Sequence, residues 1–328
     1  MSEQRIRIWT AAIFACVSVI FMAVSLFFSF PSIYRRQITL DQNSEKIIKE
    51  AIAISLLPPF PSFKGPELPD DYVKKALITL KKPSELTDDD YKKVKDLYLN
   101  NSSIRDIKLL TRLTNLEELD LYNIQVSNIE PLAGLKNLRS LMLYNMPVSR
   151  IEPLASLTKL KELTMYSLMV SDLSALSNLT DLQTLRLLSL DQVRNIEPLR
   201  NLTNLQKLGL GFLKISDVNV LSNLTNLQEL YLGGEDVSDL RPLENLINLR
   251  TLSLSGTKIR DISLLSQLIN LREFNISNTS ISNISQLAGL ANLTSLHIST
   301  TEPIDIKPIA NLKNLQTLNL KCTQVTKQ

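Results

Sequence analysis

An apolar doublet, in most units Leu-x-Leu, begins at Leu97, Leu119, Leu141, Leu163, Leu185, Leu208, Leu230, Leu252, Phe274, Leu296 and Leu318, in nine steps of 22 residues and one of 23. Self-similarity at so constant a period admits only a repeat architecture, because one such unit cannot bury its own leucines and must share a core with its neighbours. Each unit reads L-x-x-L-x-L, a turn, I/V-x-x-I/L and a closing P-L-x-x-L-x-N-L, as in "LEELDLYNIQVSNIEPLAGLKNL". Side chains alternate between the two faces of a strand, so inward Leu119 and Leu121 turn Glu118, Asp120 and Tyr122 outward. Pro131, Pro153, Pro198, Pro242 and Pro308 recur where a short helical turn is expected to start, a place at which a missing N–H costs little.

From Lys93 to the C-terminus these units resemble the leucine-rich repeat family, in particular the 22-residue repeats of bacterial internalin-like proteins. The resemblance implies an α/β fold: a solenoid with a curved parallel sheet on its concave face, short helices or turns on its convex face, about ten repeats, and an N-terminal helical cap. It also implies binding rather than catalysis. One column departs from the family, which commonly places Asn nine residues into the unit. Here that position reads Ser102, Ile124, Met146, Leu168, Leu190, Leu213, Glu235, Thr257, Thr279, Thr301 and Thr323. Extra apolar packing is expected in the first half, with the turn satisfied by main chain or water. In the second half the threonines are expected to bond the nearby backbone. The single 23-residue unit, around "LSLDQV", is expected to bulge the convex turn.

Tyr122, Tyr144 and Tyr166 fall in one outward column, with Tyr98, Met142 and Leu188 close by in the repeat. The next units carry Gly209, Gly211, Gly233 and Gly234 beside Tyr231, so an aromatic wall is expected to face a floor free of side chains. Tyrosine offers rigid amphipathic contact area and glycine admits another backbone, a pairing suited to a protein or peptide ligand. Three rings each losing ~100 Å² would contribute about 7 to 8 kcal/mol gross, before association costs of similar size. The competing reading is that the row merely braces adjacent strands.

Residues 8–34 carry no charge until after Ile33 and exceed the length needed to span a bilayer, with Trp9 and Tyr34 at the edges and arginines on both sides. They are expected to form an uncleaved signal anchor; the alternative is a cleaved signal peptide, whose best site is "AVS" at 23–25. Flanking charge does not decide the orientation, and the repeat domain is expected outside the cytoplasm because a short N-terminal tail, here residues 1–7, tends to stay inside. Residues 35–66 read as a stalk helix and Pro-rich linker, and 67–92 as a helical cap whose second helix opens at Thr87 with Asp90 three residues on. Residues 93–328 are the repeat domain, and its last strand offers an open edge for self-association.

The 36 basic and 33 acidic residues are interspersed, which argues against nucleic acid as a partner. On the outward strand positions Asp96, Glu118, Asp120, Glu162, Glu229 and Glu273 outnumber Arg186, Lys207 and Lys321, which disfavours a phosphate-rich ligand there. One histidine, His297, and two distant cysteines, Cys16 and Cys322, make up neither a zinc set nor a catalytic triad, so no metal or cofactor is expected. The functional expectation is a membrane-anchored, non-enzymatic module that binds a protein or peptide. A regulatory subunit or inhibitor of an enzyme, and a secreted adhesin, remain as alternatives.

Overall fold

The computed structural model describes residues 44–56, 83–100, 102–234, 236–300, 302–320 and 323. The apolar segment 8–34, the Pro-rich joint, the first helix of the expected cap and both cysteines lie outside these residues. Among the described residues no helix is long and apolar enough to cross a membrane.

Two compact units are distinguished, residues 1–138 and 139–328. In the first, helix α1 (Ser44–Ser55) precedes α2 (Asp88–Lys93), β1 (Asp96–Asn100) and β2 (Glu118–Tyr122). Helix α2 starts as its sequence dictates. The Asp90 N–H donates to Thr87 Oγ1 at 3.4 Å and the Thr87 N–H donates back to Asp90 Oδ2 at 2.9 Å, so both ends of a capping box are closed. Arg112 lies 3.8 Å over the Tyr91 ring and pairs with Asp88, which ties this helix to the first repeat. Helix α1 falls in the segment expected to be a stalk, yet it packs on β1 and buries Ile47, Ile48, Ala51 and Ile52. The Ser44 hydroxyl accepts the Arg105 N–H at 2.8 Å, so the helix start is fastened to the turn that follows β1.

The second unit holds β3 (Ser140–Tyr144), β4 (Glu162–Tyr166), β5 (Thr184–Leu188), β6 (Lys207–Gly211), β7 (Glu229–Gly233), β8 (Thr251–Ser253), β9 (Glu273–Thr279), β10 (Ser295–Thr300) and β11 (Thr317–Asn319). Successive strands pair in parallel, doublet on doublet: Leu141 faces Leu163, Leu185 faces Leu208 and Leu230 faces Leu252. β1 and β2 pair in the same way in the first unit. The register follows from burial, since a slip of one residue would turn every leucine of a strand to water. The doublet leucines from Leu119 to Leu296 are at most 1% exposed, and their stripe is the core. Leu318 of β11 is 43% exposed.

Between strands the chain makes short 3-10 turns, and Pro131, Pro153, Pro198, Pro242 and Pro308 each lie at the first or second position of one, as the sequence predicts. In most repeats an Asx turn leads into them: Asp172 Oδ1 accepts the Ser174 N–H at 2.8 Å, and Asp217, Asp239, Asp261 and Asp305 act alike. Hydrogen bonds hold the carboxyls of Asp172, Asp239 and Asp261 below their ordinary value, chiefly those from the Ser174 hydroxyl, the Arg241 side chain and the Ser263 N–H, respectively.

The expected apolar column is present, with Ile124, Met146, Leu168, Leu190 and Leu213 buried. So are the threonine bonds: Thr257 Oγ1 donates to the Leu254 carbonyl at 2.7 Å and Thr279 Oγ1 to that of Ile276 at 2.9 Å. The extra residue of the long unit lies within "LSLDQV", as expected, but it does not bulge the convex turn. It is taken up at Asp191 and Gln192, between the buried Leu190 and Val193, where the Val193 N–H closes on the Leu190 carbonyl at 3.0 Å. The 3-10 turn at Glu197–Leu199 keeps its usual form, because a residue inserted between two buried columns disturbs neither.

A column of asparagines, which the sequence shows as the "NL" of each unit, does work that the spacing did not announce. Asn204 Nδ2 donates to the Thr180 carbonyl, Asn226 to Thr203, Asn248 to Thr225, Asn270 to Ile247 and Asn292 to Ile269, each at 2.9 Å. Asn115 and Asn137 do the same in the first unit. The family's ladder is thus absent from one column and replaced in another. Lys159 and Asp181 interrupt it.

Candidate functional site

The strands project three outward rows. In the second unit the row at the end of each strand begins with Tyr144, Tyr166 and Leu188, which are register partners in turn. The rings of Tyr144 and Tyr166 stack face to face, 4.4 Å between centroids and 4° between planes. Strand spacing dictates this contact, since parallel neighbours ~4.8 Å apart set identical side chains at stacking distance. In the first unit Tyr98 and Tyr122 form a looser pair, 6.4 Å apart and tilted by 37°. All four tyrosines are half-buried, as are Met142 and Leu188.

Gly209 and Gly211 do not make the expected open floor. Both are buried, because neighbouring side chains lie over them. A Cβ on Gly211 would stand 2.9 Å from Leu188 Cδ2, and one on Gly209 3.6 Å from Arg186 Cγ. The glycines therefore make room for the adjacent side chains of their own sheet, not for a foreign backbone. Gly233 is half-buried. Tyr231, opposite Gly209, is 44% exposed. Its phenol is pushed above the ordinary value by partial burial and then by Glu229 and Glu273, so it remains a hydrogen-bond donor near neutral pH. Lys207 pairs with Glu229 at 2.7 Å on the same face. His297 lies half-buried on β10 with its Nε2 3.2 Å from the Ser295 hydroxyl. Among the described residues no group of histidine, cysteine and carboxylate side chains could hold a metal ion.

Phe212 was not among the residues singled out from the sequence. It is 76% exposed and has φ of 56°, in the left-handed region. The residue four past the start of the apolar doublet takes this conformation in repeat after repeat, at Asn123, Asn145, Ser167, Ser189, Gly256 and Asn278. Small or amide side chains tolerate it, whereas a bulky aromatic there is strained. The signal was legible as a break in a column of Asn, Ser and Gly. Met169, 57% exposed, follows the corresponding turn of β4 by two residues.

Comparison with known proteins is consistent with this geometry. The family model described as "Leucine Rich repeats (2 copies)" matches residues 92–134, 225–267 and 247–289. The structure of an internalin, inlF of Listeria monocytogenes, is 30% identical, aligns over 77% of this chain and 75% of its own, and superposes with a TM-score of 0.72. The functional domain of InlJ from the same organism is 21% identical over 74% of this chain and 57% of its own, with a TM-score of 0.56. A plant peptide hormone receptor, RGFR1 in complex with RGF2, shares the fold at 20% identity and a TM-score of 0.54, over 70% of this chain and 40% of its own. No curated protein sequence matches the chain. A 22-residue parallel repeat and an internalin neighbour aligned over three quarters of both chains carry one conclusion: the chain belongs to the internalin-type leucine-rich repeat family.

Proposed function

We propose that the protein is a non-enzymatic recognition module that binds a protein or peptide on the open sheet face of its second unit, at Tyr144, Tyr166 and Leu188, with Phe212 and Tyr231 as the most exposed aromatic contacts. The observation that carries the reading is the stacked Tyr144–Tyr166 pair, a preformed aromatic surface whose side-chain entropy is already spent. Met142, Gly209, Gly211 and Gly233 support it by shaping the face. Tyr98 and Tyr122 offer a second aromatic pair in the first unit. Because the rings are half-buried in the free protein, each has less than its full area left to give, and the exposed Phe212 supplies part of the difference. A fold shared with a plant receptor solved in complex with a peptide ligand is compatible with this use.

The domain plan belongs to the same proposal: residues 8–34 as a signal anchor, the repeats outside the cytoplasm, and α1 acting with α2 as the polar lid that a stacked core needs at its first repeat. Pairing of the exposed β11 edge with a second copy accompanies it.

The test compares capture of surface proteins by the full chain with capture by the Tyr144→Ala/Tyr166→Ala variant, after circular dichroism has shown equal folding. Loss of the captured partner supports the site. Equal capture by an equally folded variant removes it. Labelling of intact cells by a membrane-impermeant reagent, with residues 8–34 retained in the labelled chain, checks the anchored topology.

A further inference from the structure

A groove built from side chains of successive repeats lies off the sheet face. It runs along the edge from which β6 to β10 start and has a volume of about 620 Å³. The asparagine ladder from Asn204 to Asn292 lines it together with Gln206, Gln228, Arg250 and Arg272. Each ladder amide spends one N–H on the carbonyl of the preceding repeat, which fixes the side chain while leaving Oδ1 as an acceptor. Such a row accepts hydrogen bonds at the strand spacing of ~4.8 Å, a rise comparable with one sugar ring along a glycan.

The two arginines supply what amides lack. Arg250 and Arg272 follow the repeat one unit apart, in the sequence "INLR" at 247–250 and again at 269–272. Both are exposed, and neither guanidinium meets a carboxylate or other side-chain partner among the described residues. A guanidinium presents a planar fork suited to carboxylate or sulfate. Of the nearby carboxylates, Glu229 is taken by Lys207, and Glu273 belongs to the outward row of β9 on the sheet face. The exposed Ile247 and Ile269 of the same repeats are not part of the lining, so the groove offers no apolar subsite to a peptide side chain.

We propose that this groove binds an acidic polysaccharide, with its hydroxyls donating to the asparagine ladder and its carboxylate or sulfate groups held by Arg250 and Arg272. It is a second ligand surface, separate from the tyrosine row, and the acidic outward positions of the sheet do not oppose it because they lie on another face.

Calorimetric titration of the full chain at low ionic strength tests it, with a sulfated oligosaccharide of alternating uronic acid and hexosamine as probe. Binding is expected, and Arg250→Gln/Arg272→Gln is expected to weaken it about tenfold or more, each tenfold being about 1.4 kcal/mol. Lys214→Gln/Arg260→Gln removes the same charge outside the groove and is expected to leave affinity unchanged. The unfolding midpoint of the groove variant is expected to equal that of the parent, since the two guanidiniums hold nothing in the fold. Equal weakening by the two double variants would reduce the effect to diffuse charge and overturn the proposal. So would absence of binding, equal binding of a neutral oligosaccharide, or equal binding of an oligoglutamate peptide, the last making the groove a peptide site.

Discussion

Within the second unit, the turns after β3 to β6 and the turns after β8 and β9 have the same backbone form and are held in opposite ways. In both sets the residue four past the start of the apolar doublet takes a left-handed conformation; the Ser189 N–H bonds the Gly211 carbonyl at 2.8 Å in one set and the Gly256 N–H that of Ser277 at 3.0 Å in the other. The following side chain then differs. Met146, Leu168, Leu190 and Leu213 drive apolar groups into the core, whereas Thr257 and Thr279 turn a hydroxyl back onto a buried carbonyl. A repeat backbone of this period therefore asks only that the turn be buried and its polar groups be satisfied, and two chemistries meet that requirement.

Four measurements bear on this contrast. The largest effect is expected at Leu190, which is 0% exposed: Leu190→Ala is expected to lower stability by about 2 to 5 kcal/mol in chemical denaturation, through lost burial and a cavity. Thr257→Val, which preserves shape and removes the hydroxyl, is expected to cost about 1 kcal/mol. A larger cost for Thr257→Val than for Leu190→Ala would break the comparison. Phe212→Asn, which installs the residue found at Asn123 and Asn145, is expected to stabilise the fold by roughly 0.5 to 1 kcal/mol by relieving the left-handed aromatic. The same change is expected to weaken partner capture at the tyrosine face.

The smallest effect is expected from acid, and it should touch both sets of turns alike. The carboxyls of Asp172, Asp239 and Asp261 are held below the ordinary value of 3.8 in the folded state. Folded values below the unfolded one mean stability that is present above that value and lost as pH falls through the folded values. A melting midpoint flat from about pH 7 to pH 5 and declining below about pH 4 is the expected profile. Asp172→Asn keeps the acceptor oxygen and is expected to flatten part of the decline.

Much of the repeat could be read without coordinates, because period and alternation are consequences of strand geometry alone. Leu141 and Leu163 had to face each other once their neighbours did, and the tyrosines had to lie on the outward face. The prolines and the capping box at Thr87 were legible for the same reason, each being a local rule with few exceptions. The asparagine ladder was visible as "NL" but its meaning was not: the carbonyl that accepts each amide lies 23 or 24 residues back in the sequence. The glycines misled for a related reason. Their freedom could be read, but not that Leu188 and Arg186 would use it.

By itself the sequence determined a parallel solenoid, its register, its buried stripe and the face that carries the tyrosines, since these follow from which residues must leave water at a fixed period. Tertiary structure alone decided how neighbours fill the space between strands. It set the 4.4 Å stacking of Tyr144 on Tyr166, covered Gly209 and Gly211, left Phe212 outside, and assembled asparagines and arginines from successive repeats into one groove. Rotamer choice and side-chain reach across strands govern those outcomes, and both depend on neighbours that the order of residues in one repeat does not contain.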